Sequence, residues 1–156
     1  EGADASFELL ARQHLGGVPK FFDVEAFNVN VEHKRSAANG LYAASLAVVK
    51  IRIGEETLIS AAEGNGPVNA LDTALRKDLG VYQKHIQDVE LIDFRVRVFQ
   101  GGTDAVTRVL VEFGAPDGAR WSTVGVSGNI IEASFQALTD AITYRLVKTG
   151  AEAVAN

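Results

Sequence analysis

The chain has 156 residues and lacks several residue types that would point to particular chemistries. It contains no cysteine, which excludes disulfides, thiol catalysis and zinc sites built on cysteine. It also contains no methionine and starts at Glu1, so we expect a processed protein or a piece of a longer one. No apolar run approaches the roughly 18 residues of a membrane-spanning helix, and no signal peptide is visible. We therefore expect a cytoplasmic location.

Basic residues are also scarce. The chain has 15 lysines and arginines against 20 aspartates and glutamates, for a net charge of -5. No basic field is available to attract nucleic acid or an anionic membrane, so we expect neither as a partner. Hydrophobic residues make up 47% of the chain, which is enough for the core of one domain or of two half-domains.

The hydrophobic pattern predicts the order strand–strand–strand–helix, and it predicts this order twice. An α+β fold built from two βββα units follows from it. In the fourth strand, Ile92, Phe94, Val96 and Val98 are expected to share one face. The predicted elements are a short helix (5–15), a linker (16–22), strands 26–33, 41–53 and 57–63, a helix to about 79, strands 89–99, 105–113 and 120–126, and a helix 130–148.

The two long helices align at an offset of 63 residues, which indicates an internal duplication. The paired positions are Val68/Ile131, Leu71/Ser134, Leu75/Leu138 and Leu79/Ile142, and three of the four pairs are apolar. We predict one unit over about 24–82 and another over about 86–149, preceded by a helix and linker at 1–22. Because one small sheet with one helix buries little alone, the units are expected to pack on each other and on a second chain.

A glycine-rich stretch, EGNGPVNALDTAL (63–75), precedes the first long helix, and VSGNIIEASFQAL (126–138) precedes the second. Pro67 suits the first helical position, with Asn65 or Gly66 as the cap. The glycines allow positive φ and close approach of a ligand. Asn129 and Glu132 have the spacing of a capping box.

Both helix starts are therefore expected to present free N–H groups, with a helix dipole behind them, that can bind a carboxylate. The alternative is that both stretches are only tight turns between strand and helix. A phosphate-binding loop and a dinucleotide fingerprint are excluded, because the glycine spacing fits neither.

Catalytic and metal-binding patterns are weak. His14, His33 and His85 have no metal-ligand spacing, and ordinary solvated histidines explain them better. Ser127 and Ser134 have no histidine partner in a local motif, so a nucleophilic triad is not indicated. We therefore predict no catalytic residues and no metal site in this chain.

Three other residues allow two interpretations each. Asp93 and Asp104 could form an acid pair, but charged strand faces and loops explain them equally well. Trp121, the only tryptophan, is expected in the core or an interface and not in a binding platform.

Three segments together resemble a known family: AAEGNGPVNALDTALRK (61–77), DFRVRVFQGGTDAVTRVLVEF (93–113) and TVGVSGNIIEASFQALTDAITYRL (123–146). They are similar to the C-terminal regulatory domain of the 2-isopropylmalate synthase and citramalate synthase family. The opening EGADASFELLARQHLG resembles the connecting segment before that domain. The segment VGVSGNIIEAS, followed by ALTDAITYRL, resembles the (R)-citramalate synthase branch more than the leucine-regulated branch.

The resemblance implies a homodimeric regulatory domain of two βββα units that binds an end-product amino acid between the units, at or near the dimer interface. For the citramalate branch that effector is isoleucine, and for the sister branch it is leucine. The catalytic machinery, with its divalent metal and acetyl-CoA, is implied to lie in a separate (β/α)₈ barrel of the same parent chain. This fragment is then no enzyme and binds no cofactor. A purely structural dimerisation module is the remaining alternative.

The resemblance also implies which residues bind the effector. Asn69 and Phe94 stand where relatives often carry Asp and Tyr, and Leu91 shares a face with Phe94 only if the start of that strand is irregular. Asp104 is the candidate for the ammonium group. The implied effector contacts are Gly64, Asn65, Gly66, Pro67, Val68, Asn69, Leu91, Phe94, Val98, Asp104, Ala105 and Val106, with further contacts at Ser127, Gly128, Asn129 and Ile130.

Overall fold

A computed structural model describes residues 4–38, 40–101 and 104–155 and shows the predicted βββα order twice. The elements are α1 (Asp4–His14), β1 (Asp23–Ser36), β2 (Gly40–Ile53), β3 (Glu56–Gly64), α2 (Pro67–Asp78), a 3₁₀ turn (Gly80–Tyr82), α3 (Gln83–Ile86), β4 (Glu90–Gly101), β5 (Asp104–Gly114), β6 (Arg120–Ser127) and α4 (Ile130–Lys148). The α+β class and the strand order are confirmed. The pattern missed the turn at 80–82 and α3, because a four-residue helix is too short to show a periodicity.

The chain divides into two compact units, each built on one sheet. The first unit comprises Lys20–Val81 with Ala153–Asn156, and its sheet has the order β1-β2-β3. The second comprises Glu1–Pro19 with Tyr82–Glu152, and its sheet has the order β4-β5-β6. All strand pairs are antiparallel. Helix α1, which the sequence assigned to a preceding region, therefore belongs to the second unit.

The two sheets have the same strand order and the same pairing register. Ser45 is paired across the first sheet with Val31 and Gly64, and Thr107 is paired across the second with Val98 and Ser127. Val31, Ser45 and Gly64 therefore correspond to Val98, Thr107 and Ser127. Counting along each strand from these residues gives the equivalent position for the other residues of the two sheets. The duplication predicted from the helices thus extends to the strands.

Both sheets also carry an irregularity at the same place. The register shifts between Val24 and Ala26 in β1, and between Leu91 and Asp93 in β4. Such a bulge adds a residue and reverses the alternation of faces. Phe94, Val96 and Val98 do share a face, as expected. The prediction that Ile92 joins them is wrong, because the bulge puts Leu91 there and sends the Ile92 side chain over Gly114.

Each sheet covers one face with its own long helix. In the first unit, Val49 and Ile51 of β2 are fully buried with Leu71 and Leu75 of α2. In the second unit the buried set is larger and includes Val109, Val111 and Phe113 of β5 and Leu138, Ile142 and Leu146 of α4. Burial of such apolar side chains is the main stabilising term in each unit.

Helix α4 lies unusually close to β6. Thr123 Oγ1 donates to the Ala137 carbonyl oxygen at 2.6 Å, and Trp121 Nε1 donates to the Ala141 carbonyl oxygen at 3.0 Å. Two residues beyond Thr123, a Cβ on Gly125 would overlap the Ala133 carbonyl oxygen. Alternate strand residues thus meet every fourth helix residue, and the absence of a side chain at Gly125 permits this approach.

Helix α1 closes the free edge of β6. The Val124 N–H donates to Ser6 Oγ at 2.8 Å, and the next free N–H, that of Val126, donates to Gln136 Oε1 of α4 at 3.0 Å. Leu9 of α1 is buried beneath this contact. Within the part of the chain that the structure describes, no helix is long and apolar enough to cross a membrane.

Candidate functional site

The first predicted half of the site is the turn from β3 into α2, at residues 64–69. Gly66 is the N-cap, with φ -160 and ψ 165, and Pro67 occupies the first helical position as expected. No side chain caps this helix. The Asn65 side chain is engaged elsewhere, because Asn69 Nδ2 donates to Asn65 Oδ1 at 2.9 Å. The first-turn N–H groups of Val68 and Asn69 therefore have no side-chain acceptor among the described residues.

The two glycines of this turn have different roles from those predicted. Neither has positive φ, so the left-handed conformation that glycine allows is not used here. A Cβ on Gly64 would lie 2.7 Å from the Ala70 nitrogen, so Gly64 is needed for close packing of β3 on the start of α2. A Cβ on Gly66 would meet nothing within 4 Å. The space beside Gly66 is open, in front of the uncapped helix.

The second predicted half begins at the turn from β6 into α4. Asn129 is the N-cap as expected, and its Oδ1 accepts from the N–H groups of Ile131 at 2.8 Å and Glu132 at 3.1 Å. The predicted capping box is absent, because the Asn129 N–H donates to Ser127 Oγ instead of to Glu132. The prediction of free N–H groups at both helix starts is therefore wrong for α4, where Asn129 accepts from two of them.

An exposed apolar strip runs along β4. Phe94 is 44% exposed and Val98 is 59% exposed, although both lie on the face that bears α4. Leu91 joins this face through the bulge, which is the irregularity that its predicted role required. Val96 lies between Phe94 and Val98 on the same strip. The structure thus brings Leu91, Phe94 and Val98 to one face.

The predicted residues after the β4–β5 turn divide between the two faces of the sheet. Ala105 lies on the same face as Val98, and its carbonyl oxygen would be 3.6 Å from a Cβ on Gly128. Val106 pairs with Phe99 on the opposite face, and Asp104 shares that face by alternation. Part of the GGTD loop, Gly102 and Thr103, lies outside the described residues. Of this group, only Ala105 is therefore near the turn into α4.

The residues weighed for other chemistry have structural surroundings. Trp121 is buried and meets Phe113 edge-on at 6.0 Å between ring centroids, so it belongs to the core. His85 is within hydrogen-bonding distance of Thr149 Oγ1, at 2.9 Å. Asp93 forms an ion pair with Arg95 at 3.2 Å. Among residues 4–38, 40–101 and 104–155 there is no group of three His, Cys, Asp or Glu side chains that could hold a metal ion.

Sequence reasoning missed three carboxylates that are largely buried. Burial raises the pKa of Asp72 and that of Asp78, against opposing hydrogen bonds from Arg76 and Ser60 respectively. Asp78 Oδ2 has no hydrogen-bond partner among the described residues. In the second unit, burial raises the pKa of Asp140 to about 6. A charged residue within a helical pattern normally indicates an exposed face, so no pattern in the sequence indicates burial at these positions.

These features describe a repeated βββα domain with an uncapped helix start in one unit and an exposed apolar strip in the other. The family model of the LeuA allosteric (dimerisation) domain matches residues 1–146, and the chain belongs to this family.

Among its relatives, the chain is 49% identical to an (R)-citramalate synthase of Synechocystis sp., over 94% of this chain and 27% of that protein. It is 46% identical to an (R)-citramalate synthase of Geobacter sulfurreducens, over 96% of this chain and 28% of that protein. A 2-isopropylmalate synthase of Ruminiclostridium cellulolyticum is more distant, at 30% identity over 94% of this chain and 26% of that protein. The chain thus spans about a quarter of the length of these relatives.

Proposed function

We propose that this chain is the allosteric domain of a citramalate synthase, that it binds isoleucine, and that it forms a homodimer. The proposal rests on the family match and on the identity to relatives named (R)-citramalate synthase. The mechanism is a population shift, in which isoleucine stabilises one arrangement of the domain and thereby inhibits a separate catalytic domain of the parent chain. Coupling of this kind is worth about 1–3 kcal/mol. The parent's acyl transfer from acetyl-CoA, with its metal, belongs to that other domain.

The observation that carries the effector proposal is the uncapped start of α2. The N–H groups of Val68 and Asn69 point out of the first turn without a side-chain acceptor, at the positive end of the helix dipole. A carboxylate is the group that such a helix end favours. The space beside Gly66 is open, so a ligand oxygen can approach the backbone there. We assign the effector carboxylate to this turn.

The aliphatic part of the effector is assigned to Leu91, Phe94 and Val98, whose shared and partly exposed face supports that role. The sequence makes Asp104 the candidate for the ammonium group, but its place on the opposite face of the sheet does not support that role. A branched apolar pocket distinguishes similar aliphatic side chains by roughly 1–3 kcal/mol, so selectivity for isoleucine should be measurable and finite.

Calorimetric titration of the chain with isoleucine, leucine and valine tests the assignment. We expect saturable heat with isoleucine and affinity lower by roughly tenfold or more for the other two. Light scattering on the same sample should give the mass of a dimer. A folded dimer that gives no heat with any of the three amino acids would contradict effector binding and favour a purely structural dimerisation module.

Gly66→Asp tests the position of the carboxylate site. The new side chain has room, caps the Val68 and Asn69 N–H groups, and repels a ligand carboxylate. Isoleucine affinity should fall at least about tenfold, while the free energy of unfolding rises slightly because α2 gains a cap. Gly66→Ala is the control, since it adds a Cβ without an acceptor and should bind isoleucine normally. Unchanged affinity in Gly66→Asp would move the carboxylate away from α2.

Leucine is the second candidate effector, and the 30% identity to a 2-isopropylmalate synthase is the observation that favours it. The same titration decides between the two. Tighter binding of leucine than of isoleucine would assign the chain to the leucine-regulated branch and would leave the α2 carboxylate site in place.

A further inference from the structure

We propose a second ligand site in the second unit, on the face of its sheet opposite α4. This outer face binds a small oxyanion, a carboxylate or a phosphate, between Arg97 of β4 and Arg108 of β5. The site is independent of the proposed effector site, which uses the α2 turn and the α4-bearing face of β4.

The register opposes two positive charges on this face. Arg97 and Arg108 are directly paired across β4 and β5. Side chains at such positions lie about 5 Å apart at Cβ, and like charges in this arrangement repel each other. Neither arginine makes an ion pair or a hydrogen bond with another described residue. The repulsion is therefore uncompensated within residues 4–38, 40–101 and 104–155.

The acidic residues of the same face lie toward its two ends: Asp104 is four residues along β5 from Arg108, and Asp93 and Glu112 lie on the other side. Asp93 and Glu112 are paired with each other, four residues along the strands from Arg97 and Arg108, which is about 14 Å. Asp93 already binds Arg95. Arg97 and Arg108 thus form a like-charge pair in the middle of this face, with acidic residues about 14 Å away along the strands on both sides.

A trough of about 450 Å³ lies over this face, lined by Arg95, Arg97, Arg108, Leu110 and Ser122 and, toward one end, by the carboxylates of Asp93 and Glu112. That volume is in the range of small-molecule sites. Arg108 lies in the central strand and is partly buried. Val126, which is paired with Arg108, is 53% exposed beside it. The neighbourhood thus suits an oxyanion attached to a short apolar group.

The fold does not require these arginines. By the shared register, Asn30 and Leu46 of the first unit hold the positions of Arg97 and Arg108. That sheet forms the same three strands with the same bulge and, among its described residues, has no directly paired like charges. The paired arginines are absent from the first sheet, and their repulsion destabilises the second sheet. An anionic ligand bound between them would neutralise that repulsion. The planar forks of two guanidinium groups supply the paired donors that carboxylate and phosphate oxygens accept.

The test is a titration of the isotope-labelled chain with inorganic phosphate at constant ionic strength, followed by NMR. We expect saturable shifts of the Nε–Hε signals of Arg97 and Arg108, which chloride does not reproduce. Acetate and a short oligoglutamate peptide are titrated in parallel. Tighter phosphate binding identifies a free phosphorylated anion as the occupant, and tighter peptide binding identifies polypeptide carboxylates. Either result supports the oxyanion site.

Two variants with the same charge change complete the test. Arg108→Leu copies the first unit and should weaken phosphate binding by about tenfold or more. Arg95→Asn also copies the first unit, at Asn28, and removes one positive charge from the same face. It should change affinity little, because Arg95 is paired with Asp93. Equal losses in both variants, or phosphate shifts no larger than those with chloride, would overturn the proposal.

Discussion

Helices α2 and α4 occupy the same place in the two units, but they differ in what they bury. At the offset of 63, Asp72 of α2 corresponds to Phe135 of α4, and Asp78 corresponds to Ala141. All four residues are buried. The apolar stripes that cover the sheets are similar, so the βββα fold tolerates two different chemistries on the rest of the helix. Buried charges weaken a helix's contribution to stability unless they are fully paired, so Asp72 and Asp78 should each lower the contribution of α2.

The starts of the same two helices also differ. Asn129 caps α4 with two hydrogen bonds, whereas Gly66 leaves α2 uncapped. Beneath the helices, Ala62 of β3 stands where β6 has Gly125, so only the second unit needs a missing side chain at that position. The second unit is thus packed closely and capped, while the first retains free donors. The helix cap and the free backbone donors are thus divided between the copies.

The largest predicted effect follows from Gly125. Gly125→Ala should lower the free energy of unfolding by about 3 kcal/mol or more, because the new methyl overlaps the Ala133 carbonyl oxygen in a tightly packed contact. Urea unfolding followed by fluorescence of Trp121, four residues before Gly125 on the same strand, measures it. The matched change in the first unit, Ala62→Gly, should cost only about 1 kcal/mol. Equal costs at the two sites would refute the difference in helix–strand spacing.

The next effect concerns Asp140, whose equivalent in the first unit is Lys77, a residue that donates to the Ala61 carbonyl oxygen at 2.9 Å. Burial raises the pKa of Asp140 from 3.8 to about 6. The folded state therefore favours the protonated carboxyl, and stability is lost as pH rises from about 4 to about 6. The penalty is complete above that range and amounts to up to roughly 3 kcal/mol.

Asp140→Asn should remove this penalty. We expect a higher free energy of unfolding at neutral pH and a flatter stability profile between about pH 4 and 6, measured by urea unfolding across that range. Asp88→Asn, at an exposed position, is the control for the change in net charge. A variant whose profile keeps the wild-type slope would show that Asp140 titrates normally.

The smallest effects come from exchanging the helix caps. Asn129→Ala should cost about 1 kcal/mol, because the N–H groups of Ile131 and Glu132 lose their acceptor. Gly66→Asn should stabilise α2 by a few tenths of a kcal/mol, roughly, since it adds the missing cap. Thermal unfolding with hydrogen exchange resolved for each helix measures both. If Asn129→Ala lowered the free energy of unfolding no more than Gly66→Ala does, the cap on α4 would not contribute to stability.

The sequence predicted the fold well because each long element had a strong period. Strands such as 41–53 and the helix 130–148 differ from the observed bounds by at most a residue. The duplication was also visible, since one offset aligned both helices. Short or irregular features were not: α3 is a single turn, and the bulge at Ile92 depends on pairing with β5.

The candidate site was predictable only in part. The sequence identified Asn129 as a cap and Pro67 as the first helical residue, because capping uses local residue types. It could not distinguish Gly64, which is needed for packing, from Gly66, which is not, since both are glycines in one turn. The opposition of Arg97 and Arg108 was also hidden, because it arises from register between strands.

The contact between α1 and β6 has a consequence for any shortened form of this chain. An unpaired strand edge is a template on which another chain can add a strand. Ser6 occupies one of the N–H groups of that edge, and Leu9 is buried under the same helix. A chain cut between α1 and β1 would keep both sheets but would present a bare edge beside an uncovered apolar patch. Helix α1 therefore protects the domain from self-association. Its removal should make the domain prone to aggregate.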